Sequence, residues 1–201
     1  MKELKDWGED PDGATPLGEE EVEGLKLSWV TDRNDLNAAE ADNIRSGSLK
    51  WESRTRKLEA LLDDKAVRDL HRDMFGDVWA WAGRYRRREM NIGVTPATIA
   101  VAVRNLVEDA KFWFAADSVM SMEEAAARLH HRLVQIHPFP NGNGRLAREL
   151  TDLALISCGR QPFVWGRTDL AVESETRSRY IAALRAADAG AFELLLEFVR
   201  G

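Results

Sequence analysis

His137-Pro138-Phe139-Pro140-Asn141-Gly142-Asn143-Gly144-Arg145-Leu146-Ala147-Arg148 is the stretch around which the chain is organised. Pro138 and Pro140 hold it extended and stop the preceding helix near Ile136. Gly142 and Gly144 permit the positive φ values that turn successive N–H groups toward one point. From Arg145 to Leu155 apolar residues return at helical spacing, so the loop opens a helix, and a helix start favours anions through its unpaired N–H groups and dipole. Arg145 and Arg148 stand three residues apart and share one helix face, where planar guanidinium groups suit phosphate oxygens. Met alone, a His-Pro pair is a helix stop and two such arginines are a solvated face. At this spacing they describe a phosphate cradle with a proton acceptor at its mouth.

Composition narrows what such a site can serve. The chain has 201 residues, 44% hydrophobic and 31% charged, with a formal net charge of −6. That length suits one well-buried domain and not two ordinary ones. No apolar run has the length of a membrane span, and the first residues, Met-Lys-Glu-Leu-Lys-Asp-Trp, lack the apolar middle of a signal peptide, so no membrane association and a cytoplasmic location are expected. An acidic surface does not attract nucleic acid, so no direct nucleic-acid partner is expected and any polyanion must be met by local arginines. Cys158 has no cysteine to pair with and reads as a structural thiol. His130 and His131, without a third ligand nearby, are weak evidence for a metal.

Working outward, residues 1–30 read as an irregular acidic N-terminal arm, with a turn at Asp10-Pro11-Asp12-Gly13 and Trp7 as a candidate anchor. Residues 31–201 read as a single domain, with the active-site loop and its helix at 137–158. Helical spacing begins after Asp32 and runs to about Lys57, interrupted at Ser46-Gly47-Ser48. A second amphipathic run follows Asp63, carrying Val67, Leu70, His71, Met74 and Phe75. Trp79-Ala80-Trp81-Ala82-Gly83 suggests an aromatic corner, and Tyr85 to Val94 alternates loosely enough for a short β-hairpin flap. Arg84, Arg86, Arg87 and Arg88 read either as a solvated hairpin edge or as an attractor for an acidic partner. Ile99 to Ala116 is a strong helix. Ser121-Met122-Glu123-Glu124 caps another that delivers His137 at its end. Two closing helices are expected near 168–187 and 190–200.

The dodecapeptide resembles the signature of the Fic family (Fido fold), His-x-Phe-x-(Asp/Glu)-Gly-Asn-Gly-Arg-x-x-Arg, at every fixed position except Asn141. The Trp-Ala-Gly turn before an extended flap is a second, independent stretch of resemblance. With the Asp-Pro-Asp-Gly-Ala-Thr-Pro-Leu arm, the layout is most similar to the subgroup called mobile mystery protein B. The resemblance implies a mainly α Fic/Fido helical bundle with a β-hairpin flap over the active site. It implies a protein adenylyltransferase, which moves AMP from ATP to a Tyr, Ser or Thr hydroxyl of a target protein with Mg²⁺. It further implies a toxin-like half of a two-gene module whose partner is a small helix-turn-helix protein.

Carried over residue by residue, the resemblance makes His137 the general base and Phe139 the anchor of the loop. Gly142, Asn143 and Gly144 become the anion hole, Arg145 and Arg148 the phosphate clamps, and Tyr180 a lining residue of the nucleotide pocket. Ile92, Gly93 and Val94 become the segment that docks a target by strand addition. Asn141 stands where the family has the acid that holds Mg²⁺. Hard cations prefer carboxylates to amides, so weakened metal binding, or metal supplied with the nucleotide, is expected. Two alternatives remain open: a non-catalytic nucleotide- or partner-binding protein, and a transferase using another phosphate-containing donor. The family's self-inhibitory pattern, (Ser/Thr)-x-x-x-Glu-(Gly/Asn), has its nearest counterpart at Ser48 to Ser53, with Glu52 and without the final Gly or Asn, so no self-restraint is expected.

Overall fold

The structure is a computed structural model that describes residues 18–54, 56–167 and 174–201. Trp7 and the Asp10 to Gly13 turn lie outside the described residues. In chain order the helices are α1 (Glu19–Glu23), α2 (Arg33–Glu52), α3 (Leu58–Leu61), α4 (Asp64–Phe75), α5 (Ile99–Trp113), α6 (Met122–Ile136), α7 (Asn143–Ser157), α8 (Glu175–Asp188) and α9 (Glu193–Arg200). None of them is long and apolar enough to cross a membrane.

The caps fall where the sequence puts them. Asp32 accepts the Asp35 N–H at 2.9 Å to start α2, Asp63 accepts the Lys65 N–H at 2.9 Å to start α4, and Ser121 accepts the Glu124 N–H at 3.1 Å to start α6. The Ser46-Gly47-Ser48 interruption does not break α2, which is one continuous helix. A Cβ on Gly47 would lie 2.5 Å from the Asp73 carbonyl oxygen. The glycine therefore allows the backbones of α2 and α4 to approach, and its role is packing instead of termination.

The core is built from Leu70, Met74 and Phe75 of α4, Leu129, Leu133 and Ile136 of α6, and Leu146 and Leu150 of α7, all buried. A smaller cluster seats α8 and α9 on α6 through Ala127, Tyr180, Ala183, Leu195 and Phe198. Of the arm read as 1–30, residues 1–17 lie outside the described residues. The remainder is ordered against the domain: α1 is helical, Leu25 and Val30 are buried, and Leu25 makes an isolated antiparallel bridge to Trp79. Irregularity over the whole arm thus does not hold, because Leu25 and Val30 supply apolar surface that joins the core.

The β-hairpin flap is not formed. Among the described residues there is no strand, and 84–94 is irregular chain. The reason lies in where its main-chain groups go. The Arg86 N–H donates to Pro138 O at 2.9 Å and the Val94 N–H to Ile136 O at 3.2 Å. Both arms of the expected hairpin are hydrogen-bonded to the end of α6 and the motif, so they are not available to pair with each other.

Phe139 is fully buried, stacked on His71 with ring centroids 3.8 Å apart and tilted against Tyr85 at 5.3 Å. Phe139→Ala should therefore cost about 3–5 kcal/mol of unfolding free energy, read from a shift of the urea or guanidinium midpoint at unchanged slope.

Candidate active site

α6 and α7 run in opposite directions and meet through residues 137–142. His137 caps the C-terminus of α6 in the left-handed region, φ 52° and ψ 61°, a conformation that costs a residue with a Cβ and is held here by its surroundings. Its Nδ1 lies 3.3 Å from Val134 O, which assigns the proton to Nδ1 and makes Nε2 the nitrogen with the lone pair. Burial holds the imidazole at about 4 instead of near 6.5, with the Arg86 charge acting the same way and the Val134 carbonyl opposing. At neutral pH His137 is an uncharged base.

Gly142 is the N-cap of α7 at φ 79°, and a Cβ there would meet the Phe75 ring at 2.5 Å. Both conformation and space require glycine. Gly144 differs from expectation. It lies within the first turn of α7 without a positive φ, and a Cβ there would sit 3.7 Å from Arg148 Nη1 and 3.9 Å from the Tyr180 hydroxyl. Its missing side chain keeps the floor of the site open, whereas helix geometry already aims its N–H. The first N–H of α7 paired within the helix is that of Leu146, to Gly142 O at 2.9 Å. The N–H groups of Asn143, Gly144 and Arg145 precede it and have no intrahelical partner, which is the donor set an anion needs.

The Asn143 side chain is not in this anion hole. Its amide is buried and braces the loop, Oδ1 accepting from the Phe139 N–H at 2.9 Å and Nδ2 donating to Phe139 O at 2.8 Å. His71 does similar work from α4, linking Asn141 O to its Nε2 at 3.0 Å and accepting the Gly83 N–H on Nδ1 at 3.0 Å. Those two bonds fix one tautomer of a ring lying between Phe75 and Phe139. The Trp-Ala-Gly turn and the motif are thereby joined through one imidazole.

The site opens into a cleft of about 600 Å³ lined by the phosphate loop, Ile92 and Gly93 on one side and Tyr180 and Ile181 of α8 on another. His137, Asn141, Gly142, Asn143, Gly144, Arg145 and Arg148 all line it. Tyr180 does too, with its hydroxyl 2.8 Å from His130 Nε2 and its phenol pushed above the usual range by burial. Of the docking trio, Ile92 and Gly93 reach the cleft, while Val94 turns both main-chain groups inward, its N–H to Ile136 and its carbonyl to Arg86.

Glu40 of α2 was not found from sequence. It is buried, accepts from Trp79 Nε1 at 2.7 Å, and pairs with Arg145 Nη1 at 2.6 Å. Its signal was available: Leu36, Glu40, Asn43, Gly47 and Trp51 share one face of α2, and a carboxylate on a core-facing stripe needs a partner. Glu52, by contrast, is exposed at the far end of α2, and Ser48 donates to Glu149 at 2.9 Å. Arg177, Ile181, Leu184 and Asp188 also line the cleft. Their spacing of four, three and four places them on one stripe of α8, mixed in polarity and so unlike a core face.

Residues 61–155 match the family model described as Fic/DOC family. The chain carries a Fic/DOC family domain. Protein adenylyltransferase fic-1 of Caenorhabditis briggsae is 31% identical over 144 residues, covering 70% of this chain and 27% of that protein. The chain thus spans about a quarter of the length of the curated relatives it matches. Among solved structures, Fic-1 (residues 134–508) of Caenorhabditis elegans superposes with TM-score 0.61 at 26% identity, covering 89% of this chain and 55% of that one. BepC of Bartonella tribocorum, solved with bound AMPPNP, shares the fold with TM-score 0.67 at 16% identity, covering 91% of this chain and 97% of that one.

Within this Fic/DOC domain Asn141, the position expected to hold Mg²⁺, turns its side-chain oxygen toward protein donors. Asn141 Oδ1 accepts from the Gly142 N–H at 2.5 Å and from Arg145 Nη2 at 3.2 Å. An amide oxygen already facing two donors, one of them cationic, is a poor ligand for a hard dication. Among the described residues no group of three His, Cys, Asp or Glu side chains is arranged to hold a metal.

Burial also holds His71 and His130 at about 3, well below 6.5. At these three imidazoles the folded chain refuses protons that the unfolded chain accepts, so the stability they contribute is present above about pH 6.5 and is lost as pH falls toward 3 and 4, with the raised carboxyls of Glu149 and Asp152 opposing in part. Denaturation at a series of pH values should show unfolding free energy falling below pH 6.5, and His71→Phe should flatten that slope.

Proposed function

We propose that the domain is a protein adenylyltransferase that transfers AMP from ATP to a Tyr, Ser or Thr hydroxyl of a target protein. The observation that carries this reading is the convergence of one neutral imidazole, the leading N–H groups of α7 and two arginines on a single cleft. The names of the adenylyltransferase relatives agree with it. Triphosphate oxygens take the N–H groups of Asn143, Gly144 and Arg145, with Arg145 and Arg148 gripping from the side. Val134, Ile181 and Leu184 wall the cleft beyond them, where ribose and base extend.

His137 Nε2 removes the hydroxyl proton of a target held beside Ile92 and Gly93. The freed oxygen attacks the α-phosphorus, the bond to the β-phosphate bridging oxygen breaks, and pyrophosphate leaves with the negative charge. Charge building on the phosphorus oxygens meets fixed donors that need no rearrangement. Glu40 holds one edge of the Arg145 guanidinium, so phosphate meets this clamp with part of its charge already balanced. Mg²⁺ would be held mainly by the nucleotide's own phosphates, since Asn141 offers it only a neutral amide oxygen.

A second reading is favoured by Asn141 and Glu40 together. With the amide oxygen turned to donors and the first clamp paired, the domain binds nucleotide without turning it over. We further propose membership of the mobile mystery protein B subgroup, a toxin-like role beside a helix-turn-helix partner, and a cytoplasmic location. Support for the subgroup and the partner comes from the sequence likeness of the arm and motif.

His137→Ala should lower label transfer from α-³²P-ATP by at least about 100-fold with ATP affinity largely intact; equal transfer by the variant rejects the base. Asn141→Asp should raise turnover and make it depend on Mg²⁺ in the same labelling assay. No gain with any nucleotide favours the binding-only reading.

A further inference from the structure

Arg86 belongs to the arginine cluster that reads as a solvated edge, yet it is only 3% exposed. Its guanidinium makes three hydrogen bonds to main-chain carbonyls. Nε donates to His137 O at 2.7 Å, Nη1 to Arg88 O at 2.9 Å, and Nη2 to Val94 O. A guanidinium remains charged in a protein, so burying it is costly and these dipoles offset the cost only in part. What the arrangement supplies is geometry.

The carbonyls belong to different parts of the site. His137 O sits on the left-handed residue that ends α6, and its direction is set by the same φ and ψ that aim the imidazole. Val94 O ends the segment whose Ile92 and Gly93 line the cleft. Space around the clamp is tight as well: a Cβ on Gly93, at φ 106°, would fall 2.5 Å from Arg86 Nη2 and 2.8 Å from His137 Cβ. Docking segment, clamp and base are packed in sequence with no slack between them.

We propose that Arg86 is a positioning residue for the transfer: it ties the acceptor-docking segment to the base at one fixed spacing, so that a docked hydroxyl arrives within reach of His137 Nε2. The inference rests on the transferase reading. A lysine carries the same charge but cannot span three carbonyls with a planar fork.

The test uses the full chain and two independent measurements: initial rate of label transfer from α-³²P-ATP to proteins of a cell lysate, and affinity for a non-hydrolysable ATP analogue. Arg86→Lys and Arg86→Gln should both lower transfer by roughly 100-fold, the scale set by a misplacement of about 1 Å, with analogue affinity unchanged. Gly93→Ala, which keeps Arg86 but crowds it, should show the same separation and serves if the Arg86 variants fail to fold. Full transfer by Arg86→Lys, or parallel loss of transfer and analogue affinity in all variants, overturns the positioning role while leaving the transferase reading intact. A wild-type chain that binds the analogue and labels nothing overturns the transferase reading, and this inference with it.

Discussion

The reversal between α6 and α7 is the constraint on which the rest depends. Five residues, 138–142, turn the chain so that the last residue of one helix and the first N–H groups of the next face one space. That is possible only because Phe139 is pulled into the core and Gly142 turns in the left-handed region against the Phe75 ring. The loop's polar groups are then satisfied from three directions, by Asn143 within it, by His71 from α4 and by Arg86 from the preceding segment. A loop braced this way holds its main-chain donors in fixed directions.

Electrostatics in the cleft are local. A chain of net charge −6 gathers Arg33, Arg145, Arg148, Arg177 and Arg185 around one cavity. The positive field in the cleft comes from this cluster, not from the molecule as a whole. Glu40 and Asn141 temper it from within: one neutralises Arg145, and the other turns its oxygen toward the same guanidinium. The Asn141 amide thereby belongs to an internal network that includes the Gly142 N–H.

Where sequence reading failed, tertiary contacts outweighed local preference. Alternation from Tyr85 to Val94 is compatible with a hairpin, but pairing of Arg86 and Val94 with Pro138 and Ile136 satisfies the same groups without one. Ser46-Gly47-Ser48 has the composition of a break, and it is instead the seam where α2 meets α4. Among four neighbouring arginines nothing local marks Arg86 as the buried one. Its partners are carbonyls on residues 88, 94 and 137, the last of them 51 positions away.

The main helices, their caps and the place of the motif between two of them could be read from the sequence, since each depends on residues within a few positions of one another. Proline, glycine and polar caps act through their own φ, ψ and hydrogen bonds, which need no distant partner. The tautomer and low pKa of His137, the pairing of Arg145 with Glu40 and the tether from Arg86 to the base were decided by the tertiary structure. Each requires groups far apart in the chain to be desolvated together, and desolvation belongs to the packed molecule, not to any stretch of its sequence.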